Sequence, residues 1–337
     1  MNILLIRFSA MGDVCMTVPV VTAFALQHPE ARFTVLSRSN FRPLYRQTPD
    51  NVIFRGVNLA DYKGFWGLRR LARELAGEHY DYVVDLHDVL RTKILRTLLK
   101  FKGISVSVIN KGRLDKWRLT RSFNKQKKQL PTSFQRYAAA IAKALPNTDI
   151  NTLQHNAQTP QHTDIHTITR IGIAPFAKHE GKIYPLQNMM EVIKTLSERP
   201  DTQIMLFGGG KTEVEALRQW EKIFPNTTSC AGKHTLEQEM DMIKQLDVMI
   251  SMDSANMHIA SLLGVPVVSI WGATHRYAGF LGWQQKEEYC AEIDMPCRPC
   301  SVFGNKKCKY NDYRCMKLIK PEKVVEIVEK CLRDNAK

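Results

Sequence analysis

The run Met252-Asp253-Ser254-Ala255-Asn256-Met257-His258 follows the apolar stretch Val248-Met249-Ile250 and leads, through Gly264 and Pro266, to a second apolar stretch, Val267-Val268-Ser269-Ile270-Trp271. It reads as a strand, a sharp polar turn, a short helix and another strand. Asp253 and Ser254 stand where a helix N-cap belongs. Such a junction turns unpaired backbone N–H groups and the positive end of a helix dipole outward at a strand's carboxyl end, which is phosphate-binding chemistry. A second junction opens the chain, where Arg7-Phe8-Ser9-Ala10-Met11-Gly12-Asp13 separates the apolar Ile3-Leu4-Leu5-Ile6 from a helix. Gly12 is expected to let the backbone turn tightly. Asp13 is either a helix-capping carboxylate or a general base at the mouth of a sheet. A third junction, Ala174 to Pro185, carries Lys178 and Lys182, two ammonium groups that suit a polyphosphate. Glu213, in the first turn of a predicted helix, would ordinarily just complement the dipole. His258 falls on the buried side of its short helix by its spacing with Leu262, a structural position for a lone histidine.

Two better-known phosphate motifs are missing. Gly208-Gly209-Gly210 follows a strand without the G-x-G-x-x-G spacing, and Gly210-Lys211-Thr212 lacks the earlier glycine of a P-loop. Their absence disfavours a nucleotide-dependent dehydrogenase.

The elements that must carry these junctions alternate. Apolar strand patterns at Ile3–Ile6, Phe33–Leu36, Val52–Phe54, Tyr82–Leu86 and Ile104–Ile109 are interleaved with helix patterns at Val14–Leu26, Phe65–Leu75, Arg91–Lys100 and Ser133–Leu145. Pro19 falls in the early turns of the first helix. Composition then shifts to Asn, Thr, Gln and His between Pro146 and Thr169, the expected boundary. Alternation restarts with strands at Ile171–Ala174, Ile204–Phe207, Val248–Ile250 and Val267–Trp271, and helices at Leu186–Leu196, Thr212–Phe224 and Leu236–Leu246. The pattern predicts an α/β protein of two domains, 1–150 and 170–337, joined by a linker over 151–169, each a parallel sheet covered by helices. Ligands of such sheets bind beyond the strands' carboxyl ends, and the natural site is a cleft between two such domains.

The chain holds 48 basic and 33 acidic residues, a net charge of +15, which implies an anionic partner. Lys111, Arg113, Lys116, Arg118, Arg121, Lys125, Lys127 and Lys128 crowd one stretch with Trp117 and Phe123 between them. That stretch is either a solvated face or an anion-docking patch for a membrane surface or lipid headgroup. No apolar run approaches the ~20 residues of a membrane-spanning helix, and the first residues lack a signal peptide's basic start, so a cytoplasmic location is expected. Cys297, Cys300, Cys308 and Cys315 cluster in the sequence, either as reduced thiols or as ligands of a structural metal such as zinc.

Four segments resemble glycosyltransferase family 9, the ADP-heptose:lipopolysaccharide heptosyltransferases. Arg7-Phe8-Ser9-Ala10-Met11-Gly12-Asp13-Val14 is similar to the family's R-x-S-x-x-G-D turn, and Lys182-Ile183-Tyr184-Pro185 to its K-x-W-P segment. Ala231-Gly232-Lys233-His234-Thr235-Leu236 resembles G-k-t-s-L, and Asp253 to Ala260 resembles D-[ST]-G-x-x-H-x-A. The resemblance implies a GT-B fold, two Rossmann-like domains facing across a central cleft, with the acceptor held by the N-terminal one and a nucleotide sugar by the C-terminal one. It implies inverting transfer without a catalytic metal or cofactor. In that scheme Asp13, in the turn with Ser9 and Gly12, is the base. Lys182 and the helix start at Ser254, Ala255 and Asn256 stabilise the departing diphosphate, Lys178 is a reserve cation, Asp253 holds sugar hydroxyls, Glu213 lies near the nucleoside and His258 orients the diphosphate loop. The implied donor is ADP-heptose. The implied acceptor is a lipopolysaccharide core or similar lipid-linked saccharide at the inner membrane surface, with no nucleic-acid partner. Two departures bear on the sugar: Ala255 replaces the family glycine, and Gly272-Ala273-Thr274-His275-Arg276 replaces Gly-Pro-Thr-Asp-Pro. The rival readings are transfer of a different nucleotide sugar and a non-enzymatic anion or nucleic-acid binder acting through Lys111–Lys128.

Overall fold

The computed structural model describes residues 1–146, 148 and 168–335. The expected linker therefore lies outside the described residues except for its last two positions. The chain divides into two compact units, one of Met1–Lys111 with Ser133–Gln158 and a second of Gly112–Thr132 with Thr159–Lys337.

The first unit is built on β1 (Asn2–Ile6), β2 (Arg32–Arg38), β3 (Val52–Val57), β4 (Tyr82–Asp85) and β5 (Ser105–Val108). They form a five-stranded sheet in the order β3-β2-β1-β4-β5, and every pairing is parallel. Ile3 to Ile6 are almost completely buried. Their continuous apolar run is what a strand needs when helices cover both faces of the sheet, and each such side chain stabilises the fold by roughly 1.5–3 kcal/mol. The single helix expected over Val14–Leu26 is two, Met11–Cys15 and Thr17–Gln27. Pro19 has no N–H to offer the carbonyl four residues back, so the first helix stops there and the second restarts with the proline in its opening turn.

The second unit carries β6 (Thr169–Ala174), β7 (Thr202–Leu206), β8 (Thr227–Ser229), β9 (Val248–Met252), β10 (Val267–Ile270) and β11 (Cys290–Ala291). These form a six-stranded, wholly parallel sheet in the order β11-β10-β9-β6-β7-β8. β8 and β11 are too short to leave a periodic signal and were not legible in the sequence. The stretch Gly112–Thr132, expected inside the first domain, belongs with this unit. Its Leu130 N–H donates to Tyr277 O at 3.0 Å, Lys116 lies 4.4 Å from the Phe280 ring centre, and Lys125 Nζ donates to Cys297 O and Pro299 O at 2.6 and 2.8 Å. No local pattern announces such contacts between residues so far apart in the chain.

Candidate functional site

In the first unit the chemistry gathers where β1 and β4 end side by side, with Ile6 paired to Asp85. The sheet's strand order reverses at β1, and a switch point of this kind leaves a crevice at the strands' carboxyl ends. Arg7, the first residue beyond β1, is buried; its Nη2 stands 2.8 Å from Asp13 Oδ2 and its Nη1 donates to Leu86 O at 2.6 Å. Burial alone would lower the Arg7 guanidinium's pKa, but Tyr137 and Asp13 outweigh that and raise it. Asp13 Oδ2 also accepts the Ala10 N–H at 3.1 Å, so the carboxylate closes the helix start as well as pairing with Arg7. Both readings of Asp13 from the sequence are thus compatible with its position, and its side chain remains 29% exposed. Gly12 is a correction. It lies inside the helix Met11–Cys15, where its carbonyl accepts the Met16 N–H at 2.9 Å, and the bend between strand and helix is made by the preceding residues.

His87 completes this cluster and was not singled out in the sequence. Phe8 N–H donates to its Nδ1 at 3.4 Å, and Ser9 Oγ lies 3.3 Å from its Nε2. Burial, then the charges of Arg7 and Lys111, push the imidazole's pKa down to about 3. The ring is therefore neutral near pH 7, and with Nδ1 accepting, its proton sits on Nε2 facing Ser9. The turn that carries His87 is pinned by Asp85. This fully buried carboxylate accepts the N–H groups of His87 and Asp88 at 2.9 and 2.8 Å and pairs with Arg96 at 2.7 Å.

In the second unit the corresponding switch point lies between β6 and β9, where Ala174 pairs with Ser251. Lys182 and Asp253, one from the segment after each strand, meet there. Lys182 Nζ stands 2.8 Å from Asp253 Oδ2 and donates to Asp253 O at 3.1 Å. The side chains are 14% and 4% exposed, so the pair is held with little water. Tyr184 anchors the segment: its hydroxyl donates to Ile319 O at 2.7 Å and its N–H to Met252 Sδ at 3.4 Å. Lys178 is exposed on the loop after β6. Partial burial, then Lys182 and Lys178, lower the pKa of His179, which reports the cationic field on this loop.

The helix Ala255–Leu262 starts immediately beyond Asp253, with Ser254 as its N-cap. The Ser254 hydroxyl makes no cap bond and lies 3.2 Å from Ser251 Oγ instead. Ala255 and Asn256 form the half-buried first turn beside it, and His258 is buried as its spacing predicts. Glu213 Oε2 accepts the Gly209 N–H at 2.8 Å, closing the glycine turn between β7 and the helix Lys211–Ile223. The four clustered cysteines are free thiols, and among the described residues no three metal-ligating side chains converge. Part of the basic run is paired within this unit: besides Lys125 and Lys116, Lys127, itself exposed, pairs with Asp294 at 2.6 Å. Trp117 and Phe123 remain exposed, with the Arg121 guanidinium 5.1 Å from the Trp117 ring centre. Among the described residues no helix is long and apolar enough to cross a membrane.

Residues 68–311 match the family Glycosyltransferase family 9 (heptosyltransferase). The chain belongs to this family. Lipooligosaccharide heptosyltransferase 2 of Campylobacter jejuni is 30% identical over 132 residues, 38% of this chain and 40% of that protein. Its counterpart from a second C. jejuni strain is 29% identical over 49% of this chain and 51% of that protein. The chain thus spans about half or less of the length of these two relatives. Lipooligosaccharide heptosyltransferase 2 of Haemophilus influenzae is 25% identical over 81% of this chain and 84% of that protein. Among solved structures, E. coli ADP-heptose lps heptosyltransferase II superposes with a TM-score of 0.70 at 19% identity, covering 100% of both chains. The two parallel sheets are therefore those of the GT-B fold.

The residues expected from the resemblance fall into two groups, Ser9, Gly12 and Asp13 on the first unit and Lys178, Lys182, Glu213, Asp253, Ser254, Ala255, Asn256 and His258 on the second. The structure adds Arg7, Asp85 and His87 to the first group. Arg7 belongs to the first motif and Asp85 to the strand pattern Tyr82–Leu86, but neither Asp85 nor His87 carries a motif of its own. Asp85-Leu86-His87 sits at a strand end, as the other site segments do, but without knowledge that β4 lies beside β1 nothing linked it to Ser9.

Proposed function

We propose that this chain is a heptosyltransferase of lipopolysaccharide or lipooligosaccharide core assembly, moving heptose from ADP-heptose to a lipid-linked saccharide acceptor with inversion and without a catalytic metal. Asp13, oriented by Arg7, takes the proton of an acceptor hydroxyl. The freed electron pair attacks the anomeric carbon from the face opposite the nucleotide. The bond from that carbon to the diphosphate oxygen breaks, and ADP departs with the electrons. Lys182 and the amides at the start of the helix Ala255–Leu262 stabilise the growing negative charge. Asp253 holds the Lys182 ammonium in place and offers its remaining acceptor capacity to sugar hydroxyls; Glu213 lies by the nucleoside, His258 supports the diphosphate loop and Lys178 adds positive field. The exposed Trp117 and Phe123 beside Arg121 support a cytoplasmic enzyme resting on the inner membrane face.

The observation that carries this reading is the Lys182–Asp253 pair, 2.8 Å apart and largely dry, beside a helix start that its own N-cap side chain does not close. A thermal-shift panel of ADP, ADP-heptose and UDP-sugars tests the donor. ADP compounds at 100 times their Kd should stabilise the protein by about 2.7 kcal/mol, and a shift with UDP-sugars alone refutes the donor assignment. Asp13→Ala should slow transfer by about 10²–10⁴-fold while ADP binding persists; transfer near the parent rate removes Asp13 as base. Turnover should survive EDTA.

A further inference from the structure

Lys182 is gripped from outside its own segment. The strap 297–313, which carries three of the clustered cysteines, is tied down at its start: Cys300 and Ser301 donate their N–H groups to Ala273 O at 3.1 and 3.2 Å, and Lys125 holds Cys297 O and Pro299 O. Ala273 in turn donates to Gly181 O at 2.9 Å. At its far end the strap's Tyr313 hydroxyl donates to Glu180 Oε2 at 3.2 Å. Between these ties Gly304 lies along the Lys182 stem. A Cβ at Gly304 would sit 2.6 Å from Lys182 Cγ, 3.2 Å from Cε and 3.3 Å from Cδ, and one at Gly181 would sit 3.0 Å from Gly304 O. Gly304 also has φ of +75°, a conformation that favours glycine.

We propose that Gly304, with Tyr313, is a positioning residue for Lys182: the bare backbone at 304 leaves the channel along which the lysine stem runs to Asp253, and the strap sets where the ammonium stands. The inference rests on the reading of Lys182 as the group that stabilises the departing diphosphate. A methyl group at 304 meets the stem along its length rather than at its flexible end, so turning the ammonium alone does not relieve it; stem or strap must shift, and either shift moves the place of the ammonium beside Asp253.

The test is a mutant cycle on the full-length chain: Gly304→Ala, Lys182→Ala, the double variant and Tyr313→Phe, each read as kcat, donor KM and Tm. Gly103→Ala supplies the cost of a side chain at positive φ alone, since Gly103 has φ of +85° and open space around it. Gly304→Ala is expected to lower kcat about ten-fold or more, within the range for an ångström-scale misplacement, with donor KM changed little. Gly103→Ala should lower Tm but keep the parent kcat. In the Lys182→Ala background, where no stem remains to be pushed, Gly304→Ala should have no further effect on rate. Equal fold losses in both backgrounds overturn the positioning role, as does an unchanged kcat for Gly304→Ala when Lys182→Ala is slow. A Lys182→Ala enzyme with the parent rate overturns the underlying reading instead. If Gly304→Ala does not fold, Tyr313→Phe carries the same cycle: a slower enzyme in the parent background and no further loss in Lys182→Ala supports the strap, and any other result overturns it.

Discussion

Replacing Lys182 by methionine removes the ammonium while keeping most of the stem, and so isolates the charge. Asp253 is 4% exposed and its carboxylate lies 2.8 Å from Lys182 Nζ. Breaking one side of a buried pair strands the other and typically costs about 3–5 kcal/mol. The Lys182 side chain is 14% exposed, so its head keeps some water and the lower end applies, about 3 kcal/mol. At roughly 2–4 °C per kcal/mol this lowers Tm by roughly 6–12 °C. Lys182→Met/Asp253→Asn removes both charges and should regain most of that loss. Transfer behaves differently. In the proposed reaction the ammonium acts when charge builds on the diphosphate, so kcat should fall about 10²–10³-fold in the single variant and stay low in the double. Differential scanning fluorimetry alongside an ADP-release assay reads both quantities on the same preparations. A single variant that melts with the parent protein refutes the claim that the pair is dry and stabilising. A double variant that regains activity refutes the electrostatic role of Lys182.

Two further outcomes follow from the same geometry. His87 is held at about 3 in the folded protein, below the ~6.5 of an unfolded chain, so the unfolded state binds the extra proton and the contribution of His87 is lost as pH falls from ~6.5 toward ~3. His87→Gln should flatten the fall in urea-unfolding free energy across that window, and an unchanged slope refutes the burial of a neutral imidazole; His275, held at about 4, accounts for part of the slope that remains. Lys125→Ala strips the donor from Cys297 O and Pro299 O and should cost about 1–3 kcal/mol in urea unfolding, whereas Arg121→Ala at the surface should stay within about 0.5 kcal/mol; equal effects would mean that the basic run is a uniform solvated face.

Much of this protein was legible one residue type at a time. The apolar runs at Ile3–Ile6, Ile171–Ala174 and Val248–Ile250 marked strands buried on both faces, because such strands need no polar alternation. Asp13, Lys178, Lys182 and Asp253 were recognisable because they stand in the polar segments that follow those runs, at the strand ends where parallel sheets bind ligands. Tertiary structure decided everything that depends on which strands are neighbours. Arg7 and Ser9 meet Leu86 and His87 because β4 lies beside β1, and Lys182 meets Asp253 because β9 lies beside β6, across 71 residues of sequence. Periodicity records whether a side chain is covered but not by what, so Gly304 against the Lys182 stem left no local trace. The same limit hid the place of Gly112–Thr132 in the second unit: its lysines read as a charge run, and only the fold sets the carbonyls of Cys297 and Pro299 against Lys125.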